Sequence, residues 1–88
     1  MLLGAANHDP AQFANPDQLL LARQENRHLS FGLGVHFCLG APLARVEGEI
    51  AFSALFKRFP HLQLETNEVA WQPSLVFRGL KQLPVKFT

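Results

Sequence analysis

Residues 30–45 read SFGLGVHFCLGAPLAR and contain Cys38, the single cysteine of the chain. Gly32, Gly34 and Gly40 crowd around that thiol, with His36 two positions before it. Glycine accepts left-handed and reversed backbone conformations that other residues resist. The spacing therefore predicts a tight loop folded back on itself with the sulfur near its end. Pro42 follows almost at once, and it suits the first turn of a helix, where its missing N–H costs nothing. The thiol is thus expected on a glycine loop at the mouth of a helix.

Working outward, Leu43, Val46, Ile50 and Ala54 fall on one line at helical spacing, and Ala51, Leu55 and Phe59 widen it. Glu47 and Glu49 lie in the early turns and Lys57 and Arg58 in the last, which suits the helix dipole at both ends. Pro60 ends the pattern. The prediction is a helix over 41–59, about 27 Å long at 1.5 Å per residue. Gly48 weakens it by about 1 kcal/mol relative to alanine.

Ahead of the loop, residues 1–6 read as a strand end or short buried run, closed by the turn NHDP, in which the residue before Pro10 must be extended. Residues 10–30 carry two prolines and little periodicity, and predict an ordered but irregular meander. A single helical turn is expected near 11–13, and NPD at 15–17 marks another turn. Beyond the helix, HLQLE at 61–65 alternates like a strand. Residues 75–77 and 83–87 then predict the two strands of a small antiparallel hairpin, with Pro84 confining the last strand to an edge. The expected layout is one partial domain over 1–88: strand end and meander 1–30, loop 31–40, helix 41–59, short strands and hairpin 60–88.

Composition narrows the function classes. The chain has 88 residues, 48% hydrophobic and only 17% charged, with eight phenylalanines, one tryptophan and no tyrosine. So short a chain buries only about 60% of its unfolded surface, and an apolar balance of this kind implies surface that expects to be covered. A net charge of +1 without a basic run longer than Lys57-Arg58 is no footprint for nucleic acid. A single cysteine excludes an internal disulfide and makes a reducing compartment the default. The apolar start is too short for a signal-peptide core or a membrane span.

The residues around the thiol leave several chemistries open. A thiolate, not a thiol, ligates a metal, and the N–H groups of Leu39, Gly40 and the first helical turn could point at the sulfur. Phe31 and Phe37 could wall off a flat apolar ligand, and His36 could reach an acidic group on it. Against this, a lone cysteine is often a small buried hydrophobe. Zinc could be held by His36 and Cys38 with His28 or His61, although one His-x-Cys pair lacks the paired ligands of structural zinc motifs. A Cys–His nucleophile would have no evident orienting residue. The glycine spacing departs from the dinucleotide fingerprint, and residues 35–37 are bulky for a phosphate loop.

The string Phe31-Gly32-x-Gly34-x-His36-x-Cys38-x-Gly40, followed by Ala41-Pro42-Leu43-Ala44-Arg45, resembles the haem-binding loop of the cytochrome P-450 family in its bacterial form. The likeness extends over nearly the whole chain: ANHDPAQFANPD is similar to the family's meander, RFPHLQL to the segment after its proximal helix, and PSLVFRGLKQLPV to its C-terminal hairpin. His8, where bacterial members commonly carry arginine, and Gly48 depart from the pattern. The resemblance implies a mainly α fold, of which this chain would be the C-terminal portion. It implies haem b as cofactor, with Cys38 as axial thiolate and metal ligand, and His36 on a haem propionate. Phe31 and Ala44 would lie against the porphyrin, and Gly32 and Gly40 would shape the loop. Arg23 would be the structural meander arginine that pairs with the family's Glu-x-x-Arg motif. Val76 and Phe77 would contact substrate.

The implied activity is monooxygenation: one oxygen atom from O₂ enters a small organic substrate, with electrons from a ferredoxin- or flavodoxin-type partner. No nucleic acid or membrane partner is implied, and the location would be cytoplasmic. Arg27 and Arg45 could face an acidic electron-transfer partner, be solvated or buttress the loop. His28 and His61 read as surface or capping residues and Trp71 as a packing residue beneath the hairpin. No glutamate in the chain has an arginine three residues later, and the only threonines are Thr66 and Thr88, so the family's Glu-x-x-Arg and oxygen-activating helix motifs are absent. The expectation is therefore a C-terminal fragment, not competent alone. The alternative is a non-catalytic remnant or split-gene piece that binds haem weakly or not at all.

Overall fold

The computed structural model describes residues 2–87. The chain divides into two compact units, Met1–Ala44 and Arg45–Thr88.

The first unit opens with α1, Leu3–Ala6. This corrects the strand end expected there; Met1 lies outside the described residues. The amides of Ala6 and Asn7 donate to the carbonyls of Leu2 and Leu3 at 3.0 and 2.9 Å, and the Nδ1 of His8 bonds the Gly4 carbonyl at 2.7 Å. The segment is all apolar and small enough to coil, so its lack of alternation, not its hydrophobicity, was the informative feature.

The meander follows as a series of turns, as expected. Gln12 and Phe13 both donate to the Asp9 carbonyl, at 3.0 and 2.9 Å, which gives the single helical turn near 11–13. The Asp9 carboxylate accepts the Ala11 amide at 2.9 Å, a local bond typical of aspartate at turns. Phe13 is 5% exposed and, with Ala41 at 1%, is one of the two buried hydrophobic residues described in this unit; the Arg23 guanidinium lies 6.0 Å from the Phe13 ring centroid.

The long helix α2 runs Ala41–Arg58, within a residue of the prediction. Pro42 is its second residue, and the Ala44 amide bonds the Gly40 carbonyl at 2.9 Å. Lys57 and Arg58 occupy the last turn, but the first turn carries no acidic residue, because Glu47 lies one turn too far in. Only the C-terminal end has the charges that complement the dipole.

In the second unit, Gly48 and Leu55 of α2 and Phe59, the residue after its end, are half buried and fall along one side at helical spacing. Phe59 packs on Phe87 with ring centroids 4.5 Å apart. The line Leu43, Val46, Ile50 and Ala54 remains exposed. Phe52 and Phe56, on nearly the opposite side, are exposed too and stack on each other at 6.4 Å. A helix apolar on several faces is one built to be covered on several sides.

The strand pairing differs from the expected hairpin. β1, Gln63–Leu64, pairs antiparallel with β2, Val85–Lys86, in the register Gln63 to Lys86 and Leu64 to Val85. The Glu65 amide extends the ladder to the Pro84 carbonyl at 3.0 Å, a role proline can fill because it keeps its acceptor. Residues 75–77 are not a strand. They lie in a loop closed by the Trp71–Leu80 bridge, with Gln72 donating to Gly79 and Lys81 to Ala70, each at 2.8 Å. The Ser74 hydroxyl accepts the amides of Val76 and Phe77 at 3.3 and 3.1 Å, which bends the backbone where a strand was expected. Trp71 is half exposed, not beneath the hairpin, and Arg78 covers its ring at 4.1 Å.

Candidate functional site

The first unit carries the thiol loop. Gly32 donates to the Leu29 carbonyl at 3.0 Å and adopts φ 79°, the left-handed conformation that turns the chain back. Gly34, at φ 69°, starts a 3₁₀ turn, Gly34–His36, and Phe37 donates to its carbonyl at 3.1 Å. Cys38 then donates to the Phe31 carbonyl at 2.8 Å and accepts from Ala41 at 3.2 Å. The backbone on either side of the sulfur is thus tied to the loop's start and to the first residue of α2.

Cys38 is a free, exposed thiol. A Cβ added at Gly40 would meet its sulfur at 3.8 Å, ordinary contact distance, so Gly40 lies against the sulfur without crowding it. The amides of Leu39 and Gly40, expected to aim at the sulfur, make no hydrogen bond to it among the described residues. Phe31 and Phe37 meet edge to face at 6.4 Å, and His28 meets Phe31 in the same way at 6.0 Å. His36 and Phe37 project as exposed side chains, and Ala44 is exposed on the first turns of α2. Six of the expected residues, Phe31, Gly32, His36, Cys38, Gly40 and Ala44, therefore belong to one continuous structure.

The alternatives weaken on this geometry. Cys38 is not a buried hydrophobe. Among the described residues no group of three His, Cys, Asp or Glu side chains could hold a metal ion, which leaves zinc without a donor set. His28 uses Nδ1 to accept the Ser30 amide at 3.3 Å, a local capping bond. The donor set is a single soft thiol on a loop closed by backbone hydrogen bonds, with aromatic rings beside it and one exposed imidazole. One donor is compatible with a metal whose other ligands come from a cofactor, which is what the resemblance to the haem-binding loop implies.

Arg23 has a fuller role than its sequence position showed. Its guanidinium donates to the carbonyls of Ala14, Asn15 and Gln18 at 2.6, 3.1 and 3.3 Å. It clamps the meander from within this chain, including Asn15 at φ 50°. Asn7 was missed. Its Oδ1 accepts the Leu29 amide at 2.7 Å and its Nδ2 donates to the Ser30 hydroxyl at 3.0 Å. Asparagine can donate and accept at once, but nothing in the spacing of NHDP reveals a reach of more than 20 residues. Val76 and Phe77 belong to the second unit, exposed at the tip of the loop closed by Trp71 and Leu80. No helix among the described residues is long and apolar enough to cross a membrane.

The family model for cytochrome P450 matches residues 1–86. The chain is 52% identical over 88 residues to the polyketide biosynthesis cytochrome P450 PksS of Bacillus subtilis, covering 98% of this chain and 22% of that protein. It is 52% identical over 85 residues to 6-deoxyerythronolide B hydroxylase of Saccharopolyspora erythraea, covering 94% of this chain and 21% of that one. Among solved structures, P450BioI in complex with an acyl carrier protein ligated to hexadec-9Z-enoic acid superposes with a TM-score of 0.91 at 50% identity, over 99% of this chain and 22% of that one. The tirandamycin C-bound monooxygenase TamI gives a TM-score of 0.93 at 42% identity, over 98% and 22%. The chain thus spans about a fifth of the length of the relatives it matches.

Proposed function

The chain belongs to the cytochrome P450 family, and we propose that it supplies the thiolate-bearing face of a haem monooxygenase. The observation that carries this reading is the backbone closure from Phe31 to Cys38, which presents one exposed sulfur on a rigid loop ahead of α2.

In this reading Cys38 would be the one thiolate of this chain that holds the iron of haem b, and the haem, when bound, would supply the chemistry of O₂ activation, to which a thiolate donor contributes electron density. This chain's residues bind and orient. His36, exposed at the end of the 3₁₀ turn, donates to a propionate. Phe31, with its edge against Phe37, packs beside the porphyrin and excludes water from the sulfur. Ala44, without a bulky side chain, lets the ring approach α2. Gly32 holds the turn that brings Phe31 and Cys38 together. Val76 and Phe77 contact a small organic substrate from the loop tip.

The net reaction inserts one oxygen atom of O₂ into the substrate and releases the other as water. It takes two electrons from a ferredoxin- or flavodoxin-type partner and two protons. The cytoplasmic location belongs to the same proposal, supported by the bacterial relatives. The test is the difference spectrum of the reduced carbonyl complex in a haem-loaded full-length enzyme carrying this segment. A strongly red-shifted Soret band is expected from thiolate ligation, and a band at the position given by a neutral ligand would reject the assignment.

A further inference from the structure

We infer that Asn7 is a positioning residue for the Cys38 thiolate, acting through a continuous series of hydrogen bonds; this rests on the haem-thiolate reading of Cys38. The series begins at the Asn7 carboxamide, which accepts the Leu29 amide at 2.7 Å and donates to the Ser30 hydroxyl at 3.0 Å. The Leu29 carbonyl in turn accepts Gly32 at 3.0 Å, in the turn where Gly32 takes φ 79°. That turn sets the direction of the Phe31 carbonyl, which accepts the Cys38 amide at 2.8 Å.

Both groups held by Asn7 lie immediately before the loop, where the meander ends and the chain has no regular structure of its own. Neither bond is within a secondary-structure element, so no ladder would hold Leu29 and Ser30 if the carboxamide were removed. Asn7 itself is anchored, since it follows α1 and its own amide bonds the Leu3 carbonyl at 2.9 Å. It is half buried, and its bond to the Leu29 amide is partly shielded from water. A one-turn helix with no buried residue thereby gains a purpose: it aims a side chain at the base of the thiol loop. The side chain of the neighbouring His8 bonds the Gly4 carbonyl and its amide the Ala5 carbonyl, both within that turn, which makes it a local control.

The test compares Asn7→Ala, Asn7→Asp and His8→Ala in a haem-loaded full-length enzyme carrying this segment, reading amide hydrogen exchange at Gly32 and Cys38 and the line width of the ferric low-spin resonance. Losing a net hydrogen bond loosens a local structure by roughly threefold to tenfold. Asn7→Ala should speed exchange at both amides by that factor and broaden the resonance. Asn7→Asp keeps an acceptor for Leu29 and can accept from the Ser30 hydroxyl, so it should restore both readouts. His8→Ala should change neither. Unchanged exchange in Asn7→Ala, or an equal change in His8→Ala, overturns the inference. If Asn7→Ala does not fold, Asn7→Ser, whose shorter side chain cannot reach both Leu29 and Ser30, takes its place, and unaltered exchange at Gly32 and Cys38 then rejects the proposal. Exchange reports the loop whether or not a thiolate spectrum is seen, so failure of the haem assignment and failure of this inference are told apart.

Discussion

The Cys38 amide donates to the Phe31 carbonyl at 2.8 Å, so the aromatic residue that opens the glycine loop also fixes the backbone of the thiol that ends it. Replacing the sulfur leaves that bond intact. In a full-length enzyme carrying this segment, Cys38→Ser is therefore expected to retain the fold, as judged by far-UV circular dichroism, and to lose the red-shifted Soret band of the reduced carbonyl complex. Persistence of the band would show that another group ligates the iron.

Gly32 and Gly48 should respond to alanine with opposite signs. Gly32 sits at φ 79°, and a Cβ there would also meet the His36 carbonyl oxygen at 3.6 Å. The left-handed conformation costs a non-glycine residue roughly 1–2 kcal/mol, so Gly32→Ala should lower the unfolding free energy by about that amount. Gly48 is helical, with nothing within 4 Å of an added Cβ, so Gly48→Ala should strengthen α2 by about 1 kcal/mol. Denaturant titration of the protein checks the first. Circular dichroism of a peptide spanning 41–59 checks the second.

The Gly32 turn and the long helix were legible in the sequence because each rests on local rules. Positive φ selects glycine, and apolar spacing ended by Pro60 bounds a helix. The strand partners were not. Val85 and Lys86 pair with Gln63 and Leu64, and two-residue strands carry too little alternation to choose among partners. Leu75, Val76 and Phe77 have strand-like composition, yet the Ser74 hydroxyl captures two of their amides, a side-chain competition that periodicity does not register. At the site, the thiol loop could be read residue by residue. Asn7 could not, because its bonds to Leu29 and Ser30 are long-range contacts by one exposed-type polar residue. The helix stripe of Leu43, Val46, Ile50 and Ala54 was correctly seen as apolar, but within the second unit it is Gly48, Leu55 and Phe59 that gain cover.

His36 is expected to retain haem without setting the spectrum. Its imidazole is exposed at the end of the 3₁₀ turn and would offer a charge-assisted bond to a propionate, a type worth about 1.5–3 kcal/mol. In the full-length enzyme carrying this segment, His36→Ala should speed haem transfer to apomyoglobin by about tenfold or more, while the thiolate band stays in place. Unchanged transfer would reduce His36 to a turn residue.

Arg23 should tolerate no charge-conserving replacement. Its guanidinium reaches three carbonyls, Ala14, Asn15 and Gln18, from one planar fork, and a lysine ammonium cannot span them. Arg23→Lys is expected to destabilise the meander by about 1–3 kcal/mol and to accelerate exchange of the Gln18 amide, which bonds Asn15. A lysine variant as protected as the parent would show that the fork is dispensable.

The isolated 88-residue chain should not be a competent enzyme. Phe13 and Ala41, at 5% and 1% exposure, are the only hydrophobic residues buried among those described. Against them stand exposed Leu43, Val46, Ile50, Phe52 and Phe56 on α2 and Leu75, Val76 and Phe77 at the loop tip. At about 25 cal/mol per Å² of apolar surface, leaving even part of that area in water forfeits several kcal/mol. That loss is comparable to the whole stability of a small domain. Arg23 and Asn7 hold the meander and loop locally, but polar bonds at half-exposed sites cannot replace a missing core. The purified chain is therefore expected to self-associate in sedimentation velocity and to bind an environment-sensitive apolar dye. Its haem binding should be weak and heterogeneous, and supplied redox partners should yield no product. A monomer that takes up one haem with a clean thiolate spectrum and turns over substrate would overturn this, and would mean that the apolar faces of α2 need no cover.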